Sequence, residues 1–224
     1  MTTTSPVTIK AFIDSMFGEN AFVVSSANGS GGRAGWVIDP GLGDQVQRLL
    51  DYIAREGIGL EKILLTHGHA DHIAGLDAVH EAHPHAQVFM ADADQPMLTD
   101  PELNLSAPFG FRVVMETPAN GDITPRQVMR LGEVDWTALD TSGHSPGGRS
   151  FYCAEAGVVL TGDALFAGSI GRTDLPGSDS KQLLMNIHEQ LLTLPPETMV
   201  YSGLGPITTI GNERKLNRFL SDAY

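Results

Sequence analysis

Three histidines and one aspartate occur within six consecutive residues of the 224-residue chain, at His67, His69, Asp71 and His72. Imidazole nitrogens and carboxylate oxygens bind zinc, iron and manganese, and three or four such ligands with one open position make a catalytic site. These side chains can converge only if the backbone turns tightly, which the small residues Gly68 and Ala70 permit. The segment therefore predicts a catalytic metal centre.

Two further segments supply residues of the same kinds. His144 lies in the glycine- and proline-rich stretch 142–148, and Asp163 directly follows the apolar run 158–162. Because an unpaired buried charge is costly, a carboxylate after a buried strand is a candidate ligand or catalytic group. We therefore expect His144 to be a third histidine ligand and Asp163 to belong to the same site. The other histidines lack the spacing of metal ligands and are not expected to belong to the site: His80, His83, His85 and His188.

The secondary structure around these residues is expected to present them on loops that follow strands. Strand-like runs cover 7–13, 20–25, 34–39, 62–66, 87–91, 128–131, 134–139, 150–154, 158–161 and 199–202, and helical spacing covers 44–56, 73–83, 180–192 and 211–220. The irregular stretch 93–110 is expected to border a substrate cleft. Strands that come in clusters, with helices between the clusters, favour a mixed α/β fold of packed sheets with helices outside.

The motifs resemble a known family. Thr-His-Gly-His-Ala-Asp-His at 66–72, Ser-Gly-His at 142–144 and Thr-Gly-Asp at 161–163 are similar, in order and spacing, to the metal signature of the metallo-β-lactamase superfamily. Segments 165–174 and 212–214 resemble its glyoxalase II-like (hydroxyacylglutathione hydrolase-like) bacterial subgroup. The resemblance implies an αββα sandwich of two mixed β-sheets with helices on the outer faces. We expect a single domain over 1–224, without the additional C-terminal helical domain of larger glyoxalase II enzymes.

The resemblance also implies two metal sites that share one carboxylate: His67, His69, His144 and Asp163 for the first, and Asp163, Asp71 and His72 for the second. Leu204 stands where the family has the histidine that completes the second site, and a leucine side chain cannot coordinate a metal. We therefore expect a weaker second site and one or two zinc ions per chain, with iron or manganese as alternatives.

The activity that the resemblance implies is hydrolysis of S-D-lactoylglutathione to D-lactate and glutathione. Zinc lowers the pKa of a bound water to about 7, which supplies a hydroxide that attacks a carbonyl. If it is not a full ligand, Asp71 is the candidate base. We therefore expect a zinc-dependent thioesterase acting on this or a related thioester. Arg172 has two interpretations: it binds a substrate carboxylate, or it forms a structural salt bridge, for example with Asp174.

Two other hypotheses are motivated by Leu204. Gly-Asp-Ala-Leu at 162–165 and Gly-Arg-Thr-Asp at 171–174 also resemble the persulfide dioxygenases of the same superfamily. Those enzymes use one iron held by two histidines and one aspartate, which here would be His67, His144 and Asp163. The third hypothesis is a degenerate member that binds a metabolite or a partner without catalysis.

Composition narrows the possible partners and the compartment. The chain has 14 basic and 27 acidic side chains and a formal charge of −13, so its surface repels nucleic acid. Residues 1–10 lack the basic start and following apolar stretch that are typical of a secretory leader, and no apolar window of the sequence is long enough to span a membrane. We therefore expect a cytoplasmic protein that acts on a small molecule. The single cysteine, Cys153, lies in an apolar strand-like run and is expected in the core.

Overall fold

Two mixed β-sheets form the centre of the fold. The computed structural model describes residues 5–29 and 31–220. The strands of the first sheet lie side by side in chain order: β1 (Val7–Ile13), β2 (Asn20–Ala27), β3 (Arg33–Ile38), β4 (Ile58–Leu64) and β5 (Gln87–Phe89). Strands β1, β2 and β3 pair antiparallel, as the turn residues between them predict, whereas β3, β4 and β5 pair parallel.

The second sheet is built from the second half of the chain. The strands there are β6 (Val128–Leu131), β7 (Val134–Asp140), β8 (Arg149–Cys153), β9 (Val158–Gly162), β10 (Leu165–Phe166), β11 (Ser169–Ile170), β12 (Met199–Ser202) and β13 (Thr208–Thr209). The sheet order is β13-β12-β9-β8-β7-β6, in which β12 runs parallel to β9 and the other neighbours are antiparallel. Strands β10 and β11 form a separate small hairpin.

The helices are α1 (Gln45–Arg55), α2 (Ala70–Ile73), α3 (Leu76–Ala82), α4 (Ser180–Asn186) and α5 (Ile210–Leu216). A 3-10 helix covers Asp92–Leu98, and a π-helical turn, Ile187–Leu191, continues α4. The prediction of one helix over 73–83 is wrong in its extent, because the helix is interrupted at Gly75, between α2 and α3. A side chain there would lie 2.8 Å from the Pro40 carbonyl oxygen, and this close crossing of two segments interrupts the helix. Likewise, α5 ends before the predicted residue 220.

Three apolar clusters hold the layers together. Between the sheets, the rings of Trp36 and Trp136 lie 6.0 Å apart within a buried cluster from both sheets. A second cluster joins α1 and α3 to the outer face of the first sheet, and a third joins α4 and α5 to the outer face of the second sheet. The helices thus cover both outer faces, which confirms the predicted αββα sandwich.

The lone cysteine is a core residue, as predicted. Cys153 lies at the end of β8 and is fully buried. Burial raises the pKa of its thiol to about 11, so the residue is present as an unreactive thiol. Within the described residues, no helix combines the length and apolar character that a bilayer crossing requires.

The strands that precede the candidate site residues end at one edge of the sandwich. The Arg149 amide donates to the Thr66 carbonyl oxygen at 2.9 Å, which joins the segment after β4 to the start of β8. The Gly203 amide donates to the Gly162 carbonyl oxygen at 2.8 Å, which joins the ends of β12 and β9. Loops from both sheets therefore meet where the sequence motifs predict a metal centre.

Candidate metal centre

Three predicted histidine ligands converge at this edge. Ligand nitrogens of His67, His69 and His144 all lie within 4.8 Å of one another, and the three side chains are buried. Nδ1 of His69 is 3.0 Å from Nε2 of His144, although 75 residues separate them in the chain. The two loops therefore bring together a group of nitrogen donors of the kind that binds a transition metal.

Hydrogen bonds on the far side of two rings orient their donor atoms. The Nδ1–H of His144 donates to the Arg172 carbonyl oxygen at 2.8 Å. Nδ1 of His67 lies 3.1 Å from Oγ1 of Thr66, which itself donates to Oδ2 of Asp39 at 2.6 Å. An imidazole that donates from Nδ1 keeps Nε2 unprotonated and able to bind a metal. Nε2 of His67 is buried and has no hydrogen-bond partner among the described residues, as expected of a metal ligand.

Asp163 lies between the three histidines and the second predicted group. Its Oδ2 is 3.7 Å from Nε2 of His144, and its Oδ1 is 3.3 Å from Nε2 of His72. Oδ2 of Asp71 lies 3.9 Å from the same His72 nitrogen. Asp163 therefore lies between the two groups, where the family resemblance expects the shared carboxylate. All six sequence-predicted ligands, His67, His69, Asp71, His72, His144 and Asp163, lie in one cluster.

The surroundings shift the pKa values of the clustered histidines in opposite directions. Burial, together with the neighbouring imidazoles, lowers the pKa of His67 well below its usual range and lowers that of His69 to about 3. Burial alone would also lower the pKa of His72, but the carboxylates of Asp163 and Asp71 raise it well above its usual range. His67 and His69 are therefore held in the neutral form that binds metal.

Sequence reasoning missed Asp39, which anchors two of the ligand side chains. Its carboxylate accepts from the Thr66 amide at 2.7 Å and from Nδ1 of His72 at 2.9 Å. The backbone of Asp39 has a φ of 47°, a strained conformation for a residue with a side chain. Asp39 directly follows the buried strand β3, which is the signal that pointed to Asp163 after β9.

Sequence reasoning also missed Asp94, which joins the two ligand loops. This buried carboxylate accepts from the Gly68 amide at 3.1 Å and from the Gly147 amide at 2.6 Å. Burial raises the pKa of Asp94, although the amides that donate to it oppose that shift. Its sequence surroundings give no signal, because the residues that it joins are distant in the chain.

Gly203 packs directly against the second group of ligands. A Cβ atom at this position would lie 2.4 Å from Oδ1 of Asp163 and 2.7 Å from Cε1 of His72. We therefore expect Gly203→Ala to displace both side chains and to weaken metal affinity by about 10- to 100-fold. Zinc titration against a competing chromophoric chelator measures this effect. Gly59→Ala, whose added Cβ meets only ordinary contacts, is the matched control; equal affinities of the two variants would contradict the prediction.

An open cleft of about 160 Å³ leads to the cluster. Leu204 lines it close to Asp71 and Asp163 and offers no metal-binding atom. Arg172 also lines the cleft, but its guanidinium makes two hydrogen bonds of 2.8 Å to the Asp174 carboxylate and holds the pKa of that group at about 2. The structure therefore shows the salt bridge with Asp174 that was one of the two interpretations of Arg172. Contact of Arg172 with a substrate stays a prediction. None of the histidines at or just after the end of α3 lines the cleft: His80, His83 and His85.

Comparison with known proteins agrees with this geometry. The family model of the metallo-beta-lactamase superfamily matches residues 16–203. The chain is 40% identical to the probable metallo-hydrolase YqgX of Bacillus subtilis (strain 168), over 83% of this chain and 86% of that protein. It is 31% identical to the hydroxyacylglutathione hydrolase GloC of Haemophilus influenzae, over 83% of this chain and 86% of GloC.

Solved structures show the same architecture. The BLEG-1 B3 metallo-beta-lactamase superposes with a TM-score of 0.88 at 37% identity, covering 96% of this chain and 100% of that one. TTHA1623, solved in a di-iron-bound form, gives a TM-score of 0.81 at 34% identity over 94% and 100% of the two chains. ETHE1 from Myxococcus xanthus gives a TM-score of 0.74 at 26% identity over 94% and 83%. The chain therefore belongs to the metallo-beta-lactamase superfamily and carries the residues of a metal-dependent hydrolase of that superfamily.

Proposed function

We propose that the chain is a glyoxalase II-like thioesterase that hydrolyses S-D-lactoylglutathione or a related thioester. The observation that carries the proposal is the convergence of His67, His69 and His144, next to Asp163, beside an open cleft that His69, His144 and Asp163 line. The similarity to GloC, a hydroxyacylglutathione hydrolase by name, supports this choice of substrate class.

The proposed metal is zinc, with iron or manganese as alternatives, held by the three histidines and Asp163. When bound, such an ion polarises a carbonyl oxygen and lowers the pKa of a water molecule. In hydrolysis the carbonyl carbon gains the oxygen of water, the carbon–sulfur bond breaks, and a carboxylate and a thiol are released. The thiolate leaves without a general acid, because a thiol has a pKa of only about 8.5.

Asp71 is the proposed proton acceptor. It lines the cleft, and its Oδ2 lies 3.9 Å from Nε2 of His72, so it borders both the substrate space and the second ligand group. Burial raises the pKa of the Asp71 carboxyl, although His72 opposes the shift, and a raised pKa makes a carboxylate a better proton acceptor. Asp71 can therefore hold the proton that the attacking water gives up.

A persulfide dioxygenase is the second candidate, and Leu204 is the observation that favours it, because that substitution suits an enzyme with one metal. The similarity to ETHE1 is compatible with it. In this proposal His67, His144 and Asp163 hold one iron. The third nitrogen donor, His69, lies within 4.8 Å of the other two histidines, and a set of three histidines favours the hydrolase.

The deciding experiment compares both reactions on one purified preparation. Release of free thiol from S-D-lactoylglutathione is measured alongside oxygen consumption with glutathione persulfide. We expect thiol release and no oxygen consumption. Oxygen consumption without thiol release would overturn the thioesterase proposal in favour of the dioxygenase. The absence of both reactions from the metal-loaded protein, with no cleavage of thioesters of other thiols, would favour a non-catalytic member.

Leu204→His is expected to add a metal to the second group of ligands. The backbone at 204 is held by the hydroxyl of Ser202, which donates to the Leu204 carbonyl oxygen at 2.8 Å, so a new side chain starts from a fixed position in the cleft that Asp71 and Asp163 also line. We expect one additional zinc ion per chain and hydrolysis faster by about tenfold. Elemental analysis of Leu204→His beside Leu204→Gln, which lacks an imidazole, checks this; an unchanged metal count in the histidine variant would contradict it.

A further inference from the structure

The outer part of the cleft is walled by apolar side chains from several segments of the chain. These side chains are Phe17, Leu105, Phe109, Phe111, Leu175 and Leu204, and they surround the approach to Asp71 and Asp163. They come from the β1–β2 connection, the segment after the 3-10 helix, and the loops that follow β11 and β12. The apolar wall is therefore continuous with the candidate metal centre.

Three phenylalanines form the rim of this wall. The ring of Phe17 lies 6.1 Å from that of Phe109 in an edge-to-face arrangement and 6.1 Å from that of Phe111. The side chain of Phe109 is nevertheless 60% exposed. Burial of aromatic surface is a main source of stability, so a ring cluster left open beside a polar site indicates a surface that an apolar ligand covers.

Hydrogen bonds of Asn104 fix the backbone of this wall. The side-chain amide of Asn104 donates to the carbonyl oxygens of Met97 and Val113 at 2.8 and 3.0 Å, and the Ala70 amide donates to the Asn104 carbonyl oxygen at 2.9 Å. These bonds hold the neighbouring Leu105 at a φ of 71°, which is strained for a leucine. Strain of this kind persists where the surroundings fix a backbone for function.

The charges in the cleft disfavour an anionic ligand. Arg172 is the one cationic side chain among the described residues that line the cleft, and one edge of its guanidinium donates two hydrogen bonds to the Asp174 carboxylate. Asp71 and Asp163 also line the cleft, where their carboxylates would balance the charge of a bound ion, and the whole chain carries a net charge of −13. A glutathione thioester carries carboxylates at both ends, so this cleft offers it little electrostatic attraction.

From the apolar wall, its hydrogen-bonded backbone and the charge balance, we infer that the substrate is an uncharged thioester with an aromatic or branched apolar acyl group, and that Phe17 and Phe109 contact that group. The inference rests on the proposed thioesterase activity and names its substrate class. Phe109 is then a residue that determines specificity, without a part in bond cleavage.

The test is a series of thioesters that share one neutral thiol, N-acetylcysteamine, and differ in the acyl group: acetyl, isovaleryl and phenylacetyl. We expect kcat/KM to rise by at least about tenfold from acetyl to phenylacetyl, and phenylacetyl to exceed S-D-lactoylglutathione. Phe109→Ala should lower the phenylacetyl-to-acetyl ratio by about tenfold. Phe219→Ala, which removes a ring that is 55% exposed outside the cleft, should leave the ratio unchanged.

Failure of this inference can be distinguished from failure of the proposed function. Equal rates across the series, a preference for S-D-lactoylglutathione, or an unchanged ratio in Phe109→Ala would overturn the inference and leave the thioesterase proposal standing. If no thioester is cleaved, calorimetric titration with 4-phenylbutan-2-one still tests the apolar wall. We expect binding that is weaker in Phe109→Ala and unchanged in Phe219→Ala, and equal binding to all three proteins would refute the inference.

Discussion

Replacing His144 by alanine is expected to lower the rate of thioester hydrolysis by about three orders of magnitude. The change removes one of the three nitrogens that lie within 4.8 Å of one another and leaves the metal with an incomplete set of ligands. Metal catalysis contributes several kcal/mol of transition-state stabilisation, and about 4 kcal/mol corresponds to the stated loss. Measurement of kcat/KM for the variant under zinc-saturating conditions checks the prediction.

His85→Ala is the matched control for this variant, because His85 is exposed and lies outside the cleft. Its kcat/KM should equal that of the unmodified protein. A His144→Ala protein that is folded by circular dichroism and retains more than about a tenth of the activity would show that the histidine cluster is not the catalytic centre.

Replacing Asp94 by alanine is expected to lower the free energy of unfolding by about 3 kcal/mol. The change leaves the buried amides of Gly68 and Gly147 without their acceptor and disconnects the two loops that carry the histidines. Asp94→Asn keeps one acceptor oxygen, so we expect about half of that loss. Urea denaturation of the metal-free proteins measures the difference without a contribution from metal binding.

Asp92→Ala serves as the control for Asp94. It lies in the same 3-10 helix, but its side chain is exposed, so we expect a change within about 0.5 kcal/mol. If Asp94→Ala were as stable as Asp92→Ala, the carboxylate would not be what holds the two ligand loops together.

Local patterns were sufficient to identify the histidines and carboxylates that the fold brings together. The histidines of 67–72 lie close in the chain, and Asp163 follows an apolar strand, so both signals can be read from a few neighbouring residues. The strand clusters similarly predicted packed sheets, and the superfamily resemblance supplied their arrangement. The element boundaries were less accurate, because the break at Gly75 depends on a chain crossing at Pro40.

Long-range partners of the ligands could not be predicted from the sequence. Asp94 acquires its role by bonding to Gly147, 53 residues away, and no local pattern in the sequence encodes that distance. The position of Asp39 after β3 offered a usable signal, but only the fold shows that its carboxylate meets His72. The aromatic rim of Phe17 and Phe109 likewise joins two segments that are far apart in the chain.

The metal content of the purified protein tests most directly whether the histidine cluster is a metal centre. Zinc, iron and manganese are counted per chain in the unmodified protein and in His67→Ala, which lacks a predicted ligand whose Nε2 is buried without a hydrogen-bond partner among the described residues. We predict about one zinc ion per chain, held without added metal, and its loss in the variant. A metal-free protein, or equal metal content in the two proteins, would contradict the account.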